Sequence, residues 1–247
     1  EQAIREAVES AAVVDAVAEG FRRYSAGEVE VPPVGLLHFE DPPGDVHIKY
    51  GHILGDGYYV VKIASGFYEN PERGLQVSDG SMLLYDRETG SLLAVFLDRG
   101  WLTEVRTGAA GAVAARLLAP PEVGRIGMVG TGVQARFQLR ALPAATDCRR
   151  VLAWGRDRGR LDAYAAEMAG EGWEIAVTRD LEEVAARCDL IITVTPAREP
   201  LLLDGWIRPG THITAVGSDN LGKQELDPAI LGRADLVAAD SISQTTH

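Results

Sequence analysis

The segment 130–135 (GTGVQA) has the residue types and spacing of a loop that binds the pyrophosphate of a dinucleotide. Gly130 permits a tight turn, Gly132 lets the backbone approach a phosphate, and Ala135 allows close packing of helix on strand. The helix that follows offers unpaired N–H groups and a positive dipole potential to the phosphates. A tight turn in another doubly wound fold is the alternative. The residues predicted to bind the cofactor here are Gly130, Gly132, Val133, Gln134 and Ala135.

The end of the next apolar run, 151–154, bears on which dinucleotide is bound. NAD sites usually place Asp or Glu there to hold the ribose 2′-hydroxyl, whereas this chain has Gly155 and Arg156. Arg156, with Arg158 as a second candidate, can pair with a 2′-phosphate, which favours NADP over NAD. In the alternative interpretation the arginines are solvated and Asp157 holds the ribose.

Composition excludes several classes of protein. The 247 residues include 36 acidic and 24 basic side chains, so the formal net charge is -12, which argues against a nucleic-acid partner. No apolar run approaches the about 18–20 residues that a membrane span needs. Cys148 and Cys188 have the spacing of neither a metal site nor a disulfide framework. We therefore predict reduced thiols, no metal and a cytoplasmic protein.

The pattern of predicted secondary structure that must position these residues changes near residue 104. The segment 1–18 alternates acids with Ala and Val and predicts an amphipathic helix. The proline pairs at 32–33 and 42–43 are interpreted as breaks at the entry to the next region. Short apolar runs separated by turn signals then predict an antiparallel sheet. These runs are 47–53, 58–63, 81–85 and 91–97.

From Thr103, a predicted N-cap, the apolar period lengthens, and 105–118 predicts a helix that Pro120 ends. Apolar runs then alternate with helical patterns, which implies crossover units and a parallel sheet. The predicted strands are 126–129, 151–154, 174–177, 190–194, 212–216 and 236–239, and the predicted helices are 133–142, 158–170 and 181–187. The predicted fold class is α/β. A Rossmann doubly wound parallel sheet over 105–247 follows an N-terminal α+β antiparallel-sheet domain over 1–104.

Four sequence blocks in a fixed order make the chain resemble the ornithine cyclodeaminase/mu-crystallin family. They are VKI at 61–63 with FYENP at 67–71, LTEVRT at 102–107, the glycine loop, and AVGSDN at 215–220 with GKQEL at 222–226. Within the family, the first half is most similar to the imine-reductase-like branch associated with ectoine utilisation. The resemblance implies that a substrate-binding and dimerisation domain precedes the Rossmann domain, with catalysis in the cleft between them.

The resemblance also assigns roles to single residues. Lys62 and Arg106 would bind the substrate carboxylate, and Lys62 and Asp219 would be the catalytic residues, with Asp219 acting as acid/base or charge partner at the substrate nitrogen. Fixed cations suit a carboxylate, and a partly buried carboxyl group suits proton transfer at nitrogen. In the simpler interpretation Lys62 is a solvated strand residue, Arg106 neutralises Glu104 and Asp219 caps a loop. Further cofactor contacts are expected from Thr107, Thr195 and Val216.

Two departures from the family pattern bear on the substrate and on the fold. Many relatives place an arginine near the start of the first strand as a further carboxylate ligand, but the segment 32–38 contains none. His38 and Lys49 are the candidate substitutes, which puts ornithine in doubt and leaves room for a different acid such as a dicarboxylate imine. Relatives also continue for several dozen residues beyond 241–244 and return to the first domain. We expect that return segment to be absent from this sequence or not included in it.

The function that follows is an NAD(P)-dependent oxidoreductase acting on the carbon–nitrogen centre of a small amino or imino acid. It would be an imine or ketimine reductase or an amino-acid dehydrogenase, working as a homodimer. One alternative is an ornithine-type cyclodeaminase that uses tightly bound NAD and releases ammonia without net redox. A second is a non-catalytic, crystallin-like protein that binds NAD(P)H.

Overall fold

The computed structural model describes residues 1–8, 10–219 and 221–245. The chain divides into two compact units, Glu1–Arg106 and Thr107–His247, and the boundary lies two residues beyond the predicted end of the first domain. A search of the described residues finds no helix with the length and apolar character to cross a membrane.

The described part of unit 1 has two N-terminal helices followed by a six-stranded antiparallel sheet. Helices α1 (Gln2–Ala7) and α2 (Ser10–Ser25) take the place of the single predicted N-terminal helix. The strands are β1 (Val29–Glu30), β2 (Gly35–Glu40), β3 (Pro43–Ile53), β4 (Tyr58–Phe67), β5 (Ser78–Asp86) and β6 (Leu92–Phe96). The sheet order is β1-β3-β4-β5-β6, and β2 also pairs with β3.

The second proline pair lies in a hairpin and not in a break between elements. Glu40 at the end of β2 pairs with Pro43 at the start of β3, so the turn between them joins two hydrogen-bonded strands. Strand β2 was absent from the sequence prediction. Its apolar side chains are largely exposed, with Leu36 at 60% and Leu37 at 52%. A strand that is not half-buried does not need alternating apolar and polar residues, so this segment carries no strand signal in the sequence.

Helix α3 spans Trp101–Leu118, which makes the prediction of Thr103 as its N-cap wrong. The backbone N–H of Leu102 donates to Oδ2 of Asp98 at 2.6 Å, so Asp98 satisfies one of the unpaired donors of the first turn. Thr103 therefore lies inside that turn.

Unit 2 is built on a five-stranded parallel sheet with the order β11-β10-β7-β8-β9. The strands are β7 (Ile126–Val129), β8 (Arg150–Trp154), β9 (Glu174–Thr178), β10 (Leu190–Thr193) and β11 (His212–Ala215), and the helices are α4 (Val133–Ala141), α5 (Arg158–Gly170), α6 (Leu181–Arg187), α7 (Pro228–Arg233) and α8 (Ile242–Thr245). The strand order reverses between β7 and β10. Doubly wound sheets bind ligands beyond the carboxyl ends of the strands at such a point.

Both faces of this sheet are buried, as a parallel sheet requires. Ile126 and Met128 on β7 are fully buried together with Leu139 on α4 and Tyr164 on α5. The predicted strand at 236–239 is wrong, because this segment forms no strand in the structure. Its apolar residues are exposed, with Leu236 at 67%, and a short apolar run without a partner strand does not define a β-strand.

The two cysteines give a direct test of the packing in unit 2. Cys188 is fully buried, and burial raises the pKa of its thiol to about 12. At pH 8 only about 1 in 10,000 such thiols is ionised, whereas Cys148 is partly exposed. We expect iodoacetamide to label Cys148 in the native protein and to leave Cys188 unmodified, measured by mass spectrometry after digestion. Labelling of both in urea is the control, and equal native rates would contradict this packing.

Candidate active site

The sheet of unit 1 brings two lysines together. Lys49 on β3 and Lys62 on β4 are direct partners in the antiparallel register, so their side chains lie on the same face. Nζ of Lys62 donates to Oγ1 of Thr103, in the first turn of α3, at 3.4 Å. Arg106 lies one helical turn after Thr103, on the same side of α3. Two neighbouring strands and one helix start therefore position three cations, Lys49, Lys62 and Arg106, which we call the cation cluster.

The electrostatics of the cation cluster follow from burial and from repulsion between like charges. Burial, together with the positive charges of Arg106 and Lys49, lowers the pKa of Lys62 from its ordinary 10.5 to about 7, while Glu104 and Asp98 oppose this shift. Near neutral pH the amine of Lys62 therefore changes its charge readily. An anion bound among these groups would favour the charged ammonium, so the cluster suits a carboxylate.

His38 lies elsewhere on the same sheet. It pairs with Asp45 on β3, which pairs in turn with Gly66 on β4. Gly66 is four residues from Lys62 along β4, or about 13 Å at the usual rise per residue. Of the two candidate substitutes for the family arginine, the register places Lys49 beside Lys62 and His38 away from it.

The glycine loop of unit 2 has the backbone that a phosphate-binding turn needs. Gly130 has a φ of 115°, and a Cβ there would lie 3.0 Å from the carbonyl oxygen of Val194. Gly132 is the N-cap of α4, with no side-chain cap and nothing within 4 Å of the position of a Cβ. Gly132 therefore places no side chain at the start of α4, where the first N–H groups of a helix can receive an anion. Ala135 is fully buried, in agreement with its proposed packing role.

Arg136 holds the glycine loop through hydrogen bonds to its backbone, a role that the sequence analysis did not predict. Its Nη1 donates to the carbonyl oxygens of Thr131 at 2.9 Å and Gly132 at 3.0 Å, and its Nε donates to Glu167 on α5 at 2.7 Å. Because an arginine on an amphipathic helix is usually solvated, its position in the sequence carries no signal of this role.

The candidate ribose-binding residues follow β8, and their contacts differ. A Cβ on Gly155 would lie 2.9 Å from Cγ2 of Thr131, so the glycine lets the two loops approach each other closely. Asp157 caps α5, accepting from the N–H of Arg160 at 2.8 Å, and Arg158 pairs with Asp162 at 2.8 Å.

Arg156, by contrast, is exposed at the end of β8. Among residues 1–8, 10–219 and 221–245, the side chain of Arg156 has no hydrogen-bond or ion-pair partner. The nearby hydrogen bonds and ion pair belong to Asp157 and Arg158. Asp157 and Arg158 are thus engaged in stabilising α5, and Arg156 presents its guanidinium to solvent.

The remaining predicted site residues follow β10 and β11, on the other side of the point where the strand order reverses. Thr195 follows β10, and its Cγ2 would lie 3.1 Å from a Cβ on Gly130, which places it against the glycine loop. Val216 follows β11 and is tied by its N–H to the carbonyl of Thr193. Asp219 lies further along this loop, is exposed, and accepts from Nζ of Lys223 at 2.6 Å. Asn220, which completes this sequence block, lies outside the described residues.

Thr107 lies in α3 immediately after Arg106, and its carbonyl oxygen accepts from Nε2 of Gln138 on α4 at 3.1 Å. The helix that follows the glycine loop is thereby tied to the backbone of α3. A search of the described residues for clusters of three or more His, Cys, Asp and Glu side chains that could hold a metal ion finds none.

The model of the ornithine cyclodeaminase/mu-crystallin family matches residues 1–247. The chain belongs to this family. The resemblance proposed from the four sequence blocks is confirmed.

Several curated proteins are similar over most of this chain. A protein of Sinorhizobium fredii named as an uncharacterized cyclodeaminase is 40% identical over 218 residues, 88% of this chain and 66% of its own length. An alanine dehydrogenase of Archaeoglobus fulgidus is 38% identical over 95% of this chain and 70% of its own. The ketimine reductase mu-crystallin of Mus musculus is 35% identical over 90% and 70%. The chain thus spans about two thirds of the length of these relatives.

Two solved structures share the fold. An archaeal alanine dehydrogenase dimer with bound NAD has a TM-score of 0.92 at 35% identity, over 100% of this chain and 75% of that chain. The Δ1-pyrroline-2-carboxylate reductase of Thermococcus litoralis, in complex with NADH and L-proline, has a TM-score of 0.85 at 32% identity, over 91% and 69%. The predicted α/β fold class, a doubly wound parallel sheet with an antiparallel sheet before it, is confirmed.

The lowered pKa of Lys62 predicts a pH-dependent cost in stability. The folded amine, with a pKa of about 7, binds fewer protons than an unfolded lysine with its ordinary 10.5, so stability rises with pH between these values. The cost is therefore complete below pH 7 and lost near pH 10.5. We expect Lys62→Met to raise the free energy of unfolding by on the order of 2 kcal/mol at pH 6 and by much less at pH 10, measured by urea denaturation.

Lys62→Arg is the matched control for this measurement. A guanidinium stays charged at both pH values, so the variant should lose the rise in stability that Lys62 gives between pH 7 and pH 10. An equal gain for Lys62→Met at pH 6 and pH 10 would show that the amine is not held away from its charged form.

Proposed function

We propose that this protein is an NAD(P)-dependent oxidoreductase that acts on the carbon–nitrogen centre of a small amino or imino acid. The observation that carries the proposal is the cation cluster, whose central amine, Lys62, has a pKa of about 7 because of burial and of neighbouring cations. A carboxylate is the anion common to amino and imino acids. The names of the relatives, which include an alanine dehydrogenase, an imino-acid reductase and a ketimine reductase, support this substrate class.

Each part of the chain has a chemical task in this proposal. Arg106 and Lys49 attract the carboxylate, and Lys62 becomes charged as the carboxylate binds, so the substrate is oriented by several charge-assisted hydrogen bonds. The glycine loop of unit 2 holds the pyrophosphate of the dinucleotide, which, when bound, supplies or accepts the hydride. Asp219 holds or accepts the proton of the substrate nitrogen, and its carboxylate accepts a hydrogen bond from Nζ of Lys223 at 2.6 Å.

A cyclodeaminase is the second candidate, because the Sinorhizobium relative carries that name. Both reactions use a dinucleotide and a carboxylate-binding cluster. They differ in net redox change, since a cyclodeaminase returns the hydride to its product and releases ammonia.

A paired assay separates the two functions and tests the cluster. Reduced-nicotinamide absorbance and ammonia are followed together on a panel of amino acids and of 2-oxo acids mixed with ammonia or methylamine. We expect net oxidation of the reduced cofactor with an imine-forming mixture, and a loss of kcat/KM of about 100-fold or more in Arg106→Ala. Ammonia release at constant absorbance would instead establish the cyclodeaminase.

Arg87→Ala is the control for this substitution, because Arg87 is exposed in the turn between β5 and β6. It should leave kcat/KM unchanged, and dinucleotide affinity should be the same in both variants. Unchanged kinetics in Arg106→Ala would remove the carboxylate-binding role of the cluster.

We further propose that the cofactor is NADP in preference to NAD. The relatives of known structure contain NAD or NADH, so the proposal depends on residues of this chain. Gly155 leaves no room for the usual acid against Thr131, Asp157 is engaged as a helix cap, and Arg156 is exposed. This set of groups attracts a 2′-phosphate and offers no carboxylate to a ribose hydroxyl.

The preference is tested by steady-state kinetics with both reduced cofactors. Arg156→Ala should lower kcat/KM with NADPH by about tenfold and change the value with NADH less than twofold, because a single charge-assisted contact to the 2′-phosphate is lost. Arg158→Ala, which breaks the ion pair with Asp162, is the matched control. A tenfold preference of the unmodified protein for NADH would refute the proposal.

A homodimer and a cytoplasmic location complete the proposal. The archaeal alanine dehydrogenase is described as a dimer, which supports the first. Exposed apolar side chains on the sheet of unit 1, such as Tyr58 at 53% and Val95 at 50%, are consistent with a paired surface.

A further inference from the structure

A buried carboxylate that the proposed reaction does not use lies at the carboxyl ends of β10 and β11. Glu225 is 1% exposed. Its Oε1 accepts from the N–H of Thr195 at 2.6 Å and from the hydroxyl of Thr195 at 2.8 Å. Its Oε2 accepts from the hydroxyl of Thr193 and from the N–H of Gly217, both at 2.8 Å.

The four donors match the acceptor capacity of a carboxylate. An ionised carboxyl group has about four lone-pair sites and no donor, so each oxygen of Glu225 is fully used. Two of the donors are hydroxyls, which can rotate to accept instead. The other two are the backbone N–H groups of Thr195 and Gly217, which cannot. An amide in place of this carboxylate would turn its NH₂ group toward one of these N–H groups in either orientation.

Glu225 itself is fixed by the backbone around it. Its carbonyl oxygen accepts from the N–H groups of Leu201 at 2.8 Å and Leu202 at 3.1 Å, and the N–H of Gln224 donates to Ala197 at 2.7 Å. Gly217 packs so tightly that a Cβ would collide with the backbone of Thr195. The carboxylate of Glu225 thus accepts hydrogen bonds from both the segment after β10 and the segment after β11, and its own backbone is held in place.

We propose that Glu225 is a positioning residue for the dinucleotide, holding Thr195 and Gly217 in the conformation that receives its nicotinamide half. In a doubly wound sheet the two halves of a dinucleotide lie over the strands on either side of the reversal. The glycine loop serves the half over β7 to β9. Glu225 organises the ends of β10 and β11 on the other side, and Thr195 lies against Gly130. This inference rests on the proposed dinucleotide-dependent function.

The test is the affinity of Glu225→Gln for NADPH and NADH, measured by fluorescence titration alongside thermal unfolding. Because one backbone N–H loses its acceptor, we expect the Kd of the better-bound cofactor to rise about tenfold or more. The KM of the carboxylate substrate at saturating cofactor should change less than twofold. A merely structural carboxylate would lower the unfolding temperature without this selective change in cofactor affinity.

Asp227→Ala is the matched control in the same segment. Asp227 caps α7 by accepting from the N–H of Ala229 at 3.0 Å, so its loss should lower the unfolding temperature and leave cofactor Kd within about twofold. Thr193→Val removes one hydroxyl donor and keeps the carboxylate. It should raise the Kd about two- to fivefold, and it serves as the test variant if Glu225→Gln does not fold.

The outcomes separate this inference from the function on which it rests. An unmodified protein that binds neither NADPH nor NADH overturns both. Tight binding by the unmodified protein, with equal Kd in the test variant or an equal rise in Asp227→Ala, overturns the positioning role alone.

Discussion

The repulsion between like charges in unit 1 is the constraint around which the candidate site is organised. Lys62 is paired with Lys49 across the sheet and lies near Arg106, so its ammonium is both desolvated and repelled. Such an arrangement lowers the stability of the fold unless an anion completes it. Proteins retain costly arrangements of this kind where they serve binding, because the energy stored in the empty site is returned when the ligand arrives.

The structure of unit 1 follows from that constraint. The register of β3 and β4 must bring the lysines opposite each other, and the start of α3 must present Arg106 to them. Asp98 achieves the second requirement by capping α3 two turns before Arg106. It also contributes a carboxylate whose charge partly offsets the repulsion at Lys62. One residue thus ends a loop, begins a helix and moderates the electrostatics of the site.

The sequence predicts elements well where local signals agree, and fails where distant groups decide. Helix α5 runs over the predicted residues, and the side chain of Asp157 caps its first turn. The start of α3 was misplaced because Thr103 and Asp98 are both good caps, and tertiary contacts choose between them. The role of Glu225 could not be predicted, since its donors come from strand ends 8 to 32 residues away. Residue roles that depend on strand register or on groups from several segments can be recognised only in the three-dimensional structure.

The contact between Gly155 and Thr131 has an evolutionary consequence. An acid at the usual ribose position would have to push the side chain of Thr131 aside, so a single substitution there disturbs the neighbouring loop before it can improve recognition of NAD. Adaptation to the other cofactor must therefore begin with a smaller residue at 131, or proceed through the exposed position 156. The order in which mutations are accepted is constrained by a methyl group on the neighbouring loop.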